Sequence, residues 1–407
     1  MVQLILLVRL ALRNVWRSPR RSLLTMAAIA FGLFCLLVFQ GLKVGLHREM
    51  AASVVQLDAA SLQVVAAGRG ESLTRLQPLR DPQQVLALLD GRREAAASLR
   101  LRAPGLVTSP AGSAAVVLTG VDPAAEAGVT VIAGRLVAGR YLEPRGGVLL
   151  GAALAESLGV QVGDEVTVLV QTLFGKPGSQ RLPVGGIYRT ALASFDRSHL
   201  FLDLPTAQSL FDADGVATAV AVHVAPEREA EVTAWLRDRL PADRYRVASW
   251  QELAPDVTQL IDLNDVTMRL LVGIVFAIVA LGIVNTMGMS VMERTTEFGV
   301  LAALGIRPAQ VIALVVCETL ALGAVAAAVG SLAGMAACGY LGAHGLDLTS
   351  LTSANQYFAT SHVLKAHLEL ADVLAANLVG LATALFAGLV PAWRASRLTP
   401  AVALRHA

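Results

Sequence analysis

Lysine is almost absent: of 33 basic residues, only Lys43, Lys176 and Lys365 are lysines. None completes a GxxxxGK[ST] phosphate loop, because Pro177 follows Lys176 and the other two lack the glycines. The chain therefore cannot be its own P-loop ATPase. Cysteine is as scarce, and Cys35, Cys317 and Cys338 all fall in apolar runs, where a thiol behaves as a small hydrophobe; no disulfide framework or zinc site is implied. Charge is low, at 16% of residues, and nearly balanced at +2, so there is no polycation to bind nucleic acid. No GxSxG, HExxH, CxxC or EF-hand loop occurs, and His362 and His367 are spaced i, i+5, off the i, i+4 face of a helical metal pair. No catalytic residue, metal ligand or cofactor is assigned to this chain.

What is present is apolar surface, with 55% hydrophobic residues and a mean hydropathy of +0.60 over 407 residues. Runs at 22–42, 270–291, 311–341 and 373–390 are long enough to cross about 30 Å of hydrocarbon, which takes roughly 20 residues. The first is read as a span and not as a cleaved signal, because basic residues precede it over a full helix and its small pair, Ala28 and Ala30, lies mid-run. Arg9, Arg13, Arg17, Arg20 and Arg21 precede the first span, Arg294 and Arg307 lie between the second and third, and Arg394, Arg397 and Arg405 follow the fourth. The segment 342–372 offers only Lys365 against Asp347, Glu369 and Asp372. Both termini are thus expected in the cytoplasm, with 43–268 and 342–372 outside. The fold class expected is a four-helix membrane protein with a large α+β extracytoplasmic domain inserted between helices one and two.

Residues 1–21 place Arg9, Arg13 and Arg17 opposite Leu4, Val8, Ala11 and Val15, the pattern of an interfacial helix, and Ser18-Pro19 separates it from the first span. In the inserted domain, 61–67, 99–108 and 114–120 read as strands, and Asp81 as N-cap, Pro82 and Gly91 frame a short helix. A strand–helix–strand unit is expected at 216–224, 227–240 and 245–249. Residues 158–170 and 181–188 suggest a hairpin whose tip is 174–180, and the domain is expected to have two subdomains. The amphipathic stretch from Trp250 to Asn264 is expected to run as helix straight into the second span, so that motion in one part is carried to the other.

Glu318 lies in the third span, about 10 Å from its cytoplasmic start at 1.5 Å per residue. With no second acid to take a proton, it reads as a structural group that caps a neighbouring helix or pairs with a cytoplasmic arginine. Asn285 is read as an interhelical hydrogen bond, and the GxxxG at 330 and 334 as a close approach to another helix of this chain or of a partner.

The most specific stretch is 292–310. Glu293, Arg294 and Glu297 are followed by Phe298, Gly299, Val300, Leu301 and Leu304; Gly305 closes a short helix and Pro308 opens the next. A solvated loop has no need of those apolar residues, whereas a helix docking in a partner's groove does. Phe298, Leu301 and Leu304, at i, i+3 and i+6, are expected to form one strip against that partner.

ERTTEFGVLAALG (293–305) resembles the coupling-helix motif of the FtsX-like ABC permeases, the group containing lipoprotein-releasing permeases and macrolide exporters. The tail VPAWRASRLTPAVALRH (390–406) is similar to theirs, as is LALRNVWRSPRRSLLT (10–25) to the entry into their first span; Ala302 departs where many members carry arginine. The resemblance implies a bacterial inner-membrane permease paired with a second one, identical or homologous, and driven by two copies of a separate ABC ATPase that holds ATP and Mg. Glu293, Arg294, Glu297, Phe298, Gly299, Leu301, Leu304 and Gly305 would then face the ATPase. The helices would form no ordinary channel; ATP-driven closure would move the outer domain against a substrate in the periplasm or in the outer leaflet of the lipid. By resemblance, Phe174, Gly175, Lys176, Pro177 and Gly178 stand where lipoprotein-releasing permeases carry a loop that engages a periplasmic carrier. Lipoprotein release is the expected function. The alternatives are an exporter permease for drugs, peptides or glycolipids, and a regulator of a cell-wall hydrolase, against which the size of the outer domain argues.

Overall fold

The computed structural model describes residues 19–68, 77–92, 94–144, 147–190, 192–347 and 363–397. Residues 1–18, which carry most of the expected interfacial helix, and 398–407, the end of the tail, lie outside them. The described residues divide into two compact units, one of 19–47, 262–347 and 363–397 and one of 48–261.

The chain opens on α1 (Pro19–Val54), continued by a π-helical turn at Val55–Ala59. Then follow β1 (Leu62–Ala66), α2 (Pro82–Leu89), β2 (Ala96–Ser109), β3 (Gly112–Val121), β4 (Leu136–Gly139), β5 (Val148–Gly151), α3 (Ala152–Leu158), β6 (Glu165–Gln171) and β7 (Pro177–Tyr188), with short helical turns between them. Next come β8 (His199–Asp203), α4 (Leu204–Leu210), β9 (Ala219–His223), α5 (Glu229–Arg239) and β10 (Tyr245–Ser249). Four helices end the described chain: α6 (Pro255–Glu293), α7 (Thr295–Ala303), α8 (Pro308–His344) and α9 (Leu370–Ser396). Among them α1, α6, α8 and α9 are long and apolar enough to cross a bilayer, and the α+β domain stands between the first and second of these.

In the membrane unit, α8 is the most enclosed helix. Its Val311, Leu314, Val315, Leu322 and Ala326 share a buried cluster with Ile29, Leu33 and Leu37 of α1, Phe276, Val279, Ile283, Met287 and Val291 of α6, and Ala376, Ala384 and Ala387 of α9. Lipid tails are as apolar as leucine, so association here rests on close approach and on hydrogen bonds. A Cβ on Gly330 would stand 2.5 Å from the carbonyl oxygen of Ala30, and one on Gly334 would stand 2.9 Å from Leu37, so both glycines of the GxxxG serve this chain's own first helix. Asn377 Nδ2 donates to Ser331 Oγ (2.8 Å), tying α9 to α8, and Gln40 Nε2 donates to Asp372 Oδ1 (3.1 Å), tying α1 to α9. Lys43 pairs with Asp265 at 3.0 Å, joining α1 to α6 beyond their apolar runs. At 36 and 39 residues, these two helices reach roughly 54 and 58 Å, well past the hydrocarbon.

In the inserted domain six strands close on themselves. β2 pairs with β3, β3 with β8, β8 with β5, β5 with β7, β7 with β6, and β6 returns to β2. The ring encloses Leu101, Val107, Leu118, Leu150, Val168 and Leu200. β2 is long enough, at 14 residues, to serve twice: Gly105–Thr108 pairs with β6, while Ala96–Arg100 pairs with β9, which leads through β1 to β10. α2 and α5 cover that second sheet around a separate core of Leu62, Val85, Val220 and Leu236.

Two sequence expectations need correction. Asp81 does not cap α2 through its side chain; it sits in the left-handed region (φ 45°) and only its carbonyl serves, accepting from Gln84. The stretch from Trp250 is not one helix: the turn Trp250–Leu253 ends at Ala254 (φ −125°, ψ 65°), and α6 starts at Pro255. Proline offers no amide to the preceding turn and pushes the residue before it out of the helical region.

His199, which begins β8, is enclosed among Phe195, Arg102 and Asp58. Its ring is held below its ordinary pKa by burial, with Arg102 adding to the effect and Asp58 opposing it; His223 is lowered in the same way by burial. A histidine whose folded pKa is depressed takes its proton more readily when unfolded, so its stabilising share is present above about pH 6.5 and lost as the pH falls below it. The thermal midpoint of the full chain should fall between pH 7.5 and 5.5, and His199→Gln should remove part of that fall. A pH-independent midpoint in the wild type would show that the ring is not held neutral.

Candidate functional site

The α6–α8 connection is built around one guanidinium. Arg294, the single residue between α6 and α7, donates through Nε to Glu297 Oε2 (3.0 Å) and through Nη1 to Glu318 Oε2 (2.9 Å), and it lies 5.3 Å from the centre of the Phe298 ring. Glu318 is thereby a structural acid paired with an arginine outside the spans. The side chains of this pair are 18% and 7% exposed, so the charges meet in a medium poorer than water and hold each other tightly. Three elements are fastened together: the end of α6, the start of α7 and the body of α8.

α7 ends where Gly305 takes φ +86°, a conformation open to glycine at no steric cost, and Pro308 starts α8 with the Arg307 amide capped by Gln310 Oε1 at 2.9 Å. Along α7 the apolar residues do not form one outward strip. Phe298 is 2% exposed and belongs to the cluster of Val291, Val311 and Leu314; Gly299 is buried, and Leu301 packs half-buried on the same cluster. Leu304 is 76% exposed, and Met292, Glu293, Val300 and Gly305 are exposed with it. The reason is helical: steps of three at 100° per residue drift, so Leu304 stands about 120° round the axis from Phe298. Sequence spacing brought the residues to the right element but placed Phe298 on the wrong side of it.

The β6–β7 hairpin carries the other expected site. Its ladder runs from Glu165↔Pro183 to Gln171↔Pro177, so the tip is 172–176, shorter than the expected 174–180, and Pro177 and Gly178 already belong to β7. Thr172 N donates to Lys176 O (2.8 Å), Gly175 adopts φ +79°, and Leu173 N donates to Phe211 O (3.0 Å), which pins the turn to the barrel. Phe174 alone of its apolar residues projects, at 70% exposure, beside Gly175 and Lys176.

α6 leaves one long face open. Leu270, Ile274, Ile278, Leu281 and Met289 are exposed, and so is Asn285 among them. Asn285 makes no bond to another helix among the described residues. The Arg294–Glu318 pairing was half legible, since an acid in a span implies a cation near its end; Ser331 with Asn377 had no local signal at all.

Residues 269–400 match the FtsX-like permease C-terminal family, and residues 22–239 the MacB-like periplasmic core domain. The chain is 27% identical over 401 residues to the lipoprotein-releasing system transmembrane protein LolC of Xylella fastidiosa, covering 95% of this chain and 94% of that protein. To LolC of Neisseria meningitidis it is 24% identical, over 97% of both. The macrolide export ATP-binding/permease protein MacB of Brucella abortus is 36% identical over 142 residues, 34% of this chain and 19% of that one. Among solved structures, the periplasmic region of MacB from Actinobacillus actinomycetemcomitans aligns with a TM-score of 0.34 at 14% identity, covering 50% of this chain and 94% of that one.

Proposed function

The chain belongs to the FtsX-like ABC transporter permeases with a MacB-like periplasmic core domain, and from that membership we propose that it releases lipoproteins from the inner membrane to a periplasmic carrier. The observation that carries this reading is the end-to-end likeness to LolC, over 95% of this chain and 94% of that protein. Both termini lie in the cytoplasm, where two copies of a separate ATPase bind ATP and Mg. The ATPase seats against Met292, Glu293, Val300 and Leu304, the exposed side of the α6–α8 connection. Force applied there passes through Arg294 to Glu318 and so into α8. A second permease, identical or homologous, covers the open face of α6, where it gives Asn285 the hydrogen bond that a polar group in lipid otherwise lacks.

One observation favours the exporter reading instead. The hairpin turn is short and pinned at Leu173 to Phe211, leaving Phe174 as its one projecting apolar side chain for a carrier. Spheroplasts lacking this protein should retain lipoproteins that wild-type spheroplasts release to added carrier, and Phe174→Glu should release them poorly while keeping its ATPase. Normal release by the knockout would leave export of drugs, peptides or glycolipids as the function.

The ATPase seat has its own test. Truncating an apolar anchor at an interface costs about 1–4 kcal/mol, and each 1.4 kcal/mol is tenfold in affinity. Leu304→Asp should therefore lose the ATPase on co-purification by tenfold or more with the permease still folded, whereas Phe298→Ala should lower the melting point of the permease itself. Full ATPase recovery with Leu304→Asp would remove this face from the interface.

A further inference from the structure

Where α1 meets the inserted domain, the backbone is held in an unusual path. Val55–Ala59 widens into a π-turn, and Ala60 follows at φ 55°, ψ −172°, in a region close to glycine-only, while fully buried. Such a conformation persists only where the surroundings over-determine it, and here they do. Val131 N donates to Gln56 O at 3.1 Å, Gln63 Nε2 donates to Ala59 O at 3.0 Å, and Arg100 Nη1 donates to Asp58 O. Arg102 Nη2 holds the Asp58 carboxylate at 2.8 Å. Arg100 is itself fixed by a bidentate pair with Glu126, 2.6 and 3.2 Å, both side chains almost wholly buried at 3% and 1% exposure. Leu57 is anchored among Val121, Ile132, Tyr188 and Phe201.

A glycine at position 60 would reach the same path without strain, but the chain carries alanine there. The strain sits where the chain of α1, a helix long and apolar enough to cross a bilayer, continues into β1. We propose that residues 55–60 are a loaded joint, kept in the strained turn by Arg100, Arg102 and Gln63, that lets go of these bonds and opens when α1 is displaced during the ATP-driven cycle. The proposal rests on the reading of this chain as a permease worked by a separate ATPase, and deepens it by naming where displacement of α1 enters the domain.

The test is amide hydrogen exchange on the full chain with its co-purified ATPase, with and without MgATP trapped by vanadate. Amides 56–61 should exchange about tenfold faster in the trapped state, with those of 101–107 in β2 unchanged. Ala60→Gly, which removes the strain, should raise the thermal midpoint and shrink the nucleotide-dependent difference. Arg100→Met with Glu126→Leu, which keeps the buried volume apolar and filled, should make 56–61 exchange fast in both states. A nucleotide response elsewhere in the chain but none at 56–61, or an Ala60→Gly midpoint no higher than wild type, would overturn the joint and leave the permease reading standing. No nucleotide response anywhere in the chain would overturn both.

Discussion

Arg294→Ala should cost about 3–5 kcal/mol of stability, the usual result of removing one partner from a buried ion pair. Glu318 is the reason: at 7% side-chain exposure on a membrane helix, it depends on Arg294 Nη1 at 2.9 Å for its compensation. The same substitution takes the Arg294 bond from Glu297 and the guanidinium from beside the Phe298 ring, so the start of α7 loses both contacts. Thermal unfolding of the purified full chain in detergent measures the loss. The double variant Arg294→Met with Glu318→Leu should recover most of it, because an apolar pair of similar volume needs no compensation, yet its complex with the separate ATPase should hydrolyse ATP without moving cargo. A melting point for Arg294→Ala equal to wild type would show that Glu318 is satisfied some other way.

Gly330→Val should be as damaging through packing alone. A Cβ there meets the carbonyl oxygen of Ala30 at 2.5 Å and its Cα at 3.0 Å, and both are backbone, so no side chain can swing aside. α1 would have to move bodily away from α8, opening the cluster of Leu33, Leu37 and Ala326. Overpacking costs about 1–3 kcal/mol where neighbours can yield and more where they cannot. Gly339, also on α8, is the control: nothing lies within 4 Å of an added Cβ, so Gly339→Ala should be neutral or gain up to about 1 kcal/mol from helix propensity. The readout is the fraction of chain that elutes as a single folded species after extraction, together with its melting point. Gly330→Val behaving like Gly339→Ala would mean that α1 and α8 do not approach as described.

Both experiments concern residues that the sequence singled out without saying what they touch. Glu318 stood out because an acid in an apolar run is costly, and Gly330 and Gly334 because their spacing lays them on one helix face. In the inserted domain, β3 and β10 lie where alternation placed them, within a residue or two. The hairpin was seen and its turn misplaced, since glycine at 178 reads locally as a turn but in the fold lets β7 pass close to the Leu210 carbonyl. The continuous helix from Trp250 failed at Ala254, although Pro255 was there to be read.

What the sequence by itself determined is what depends on a residue and its near neighbours: four apolar helices, the proline and glycine that start and stop α7 and α8, and an α+β insertion after the first span. The tertiary structure alone decided that β6 returns to β2 to close the barrel, that Phe298 turns inward while Leu304 faces out, that Arg294 takes Glu318, and that Arg100 holds Glu126 and the Asp58 carbonyl. These choices join residues tens of positions apart, and each side chain had several partners of matching chemistry along the chain. Which one it meets is set by how whole elements pack, and that leaves no mark on the spacing of the residues involved.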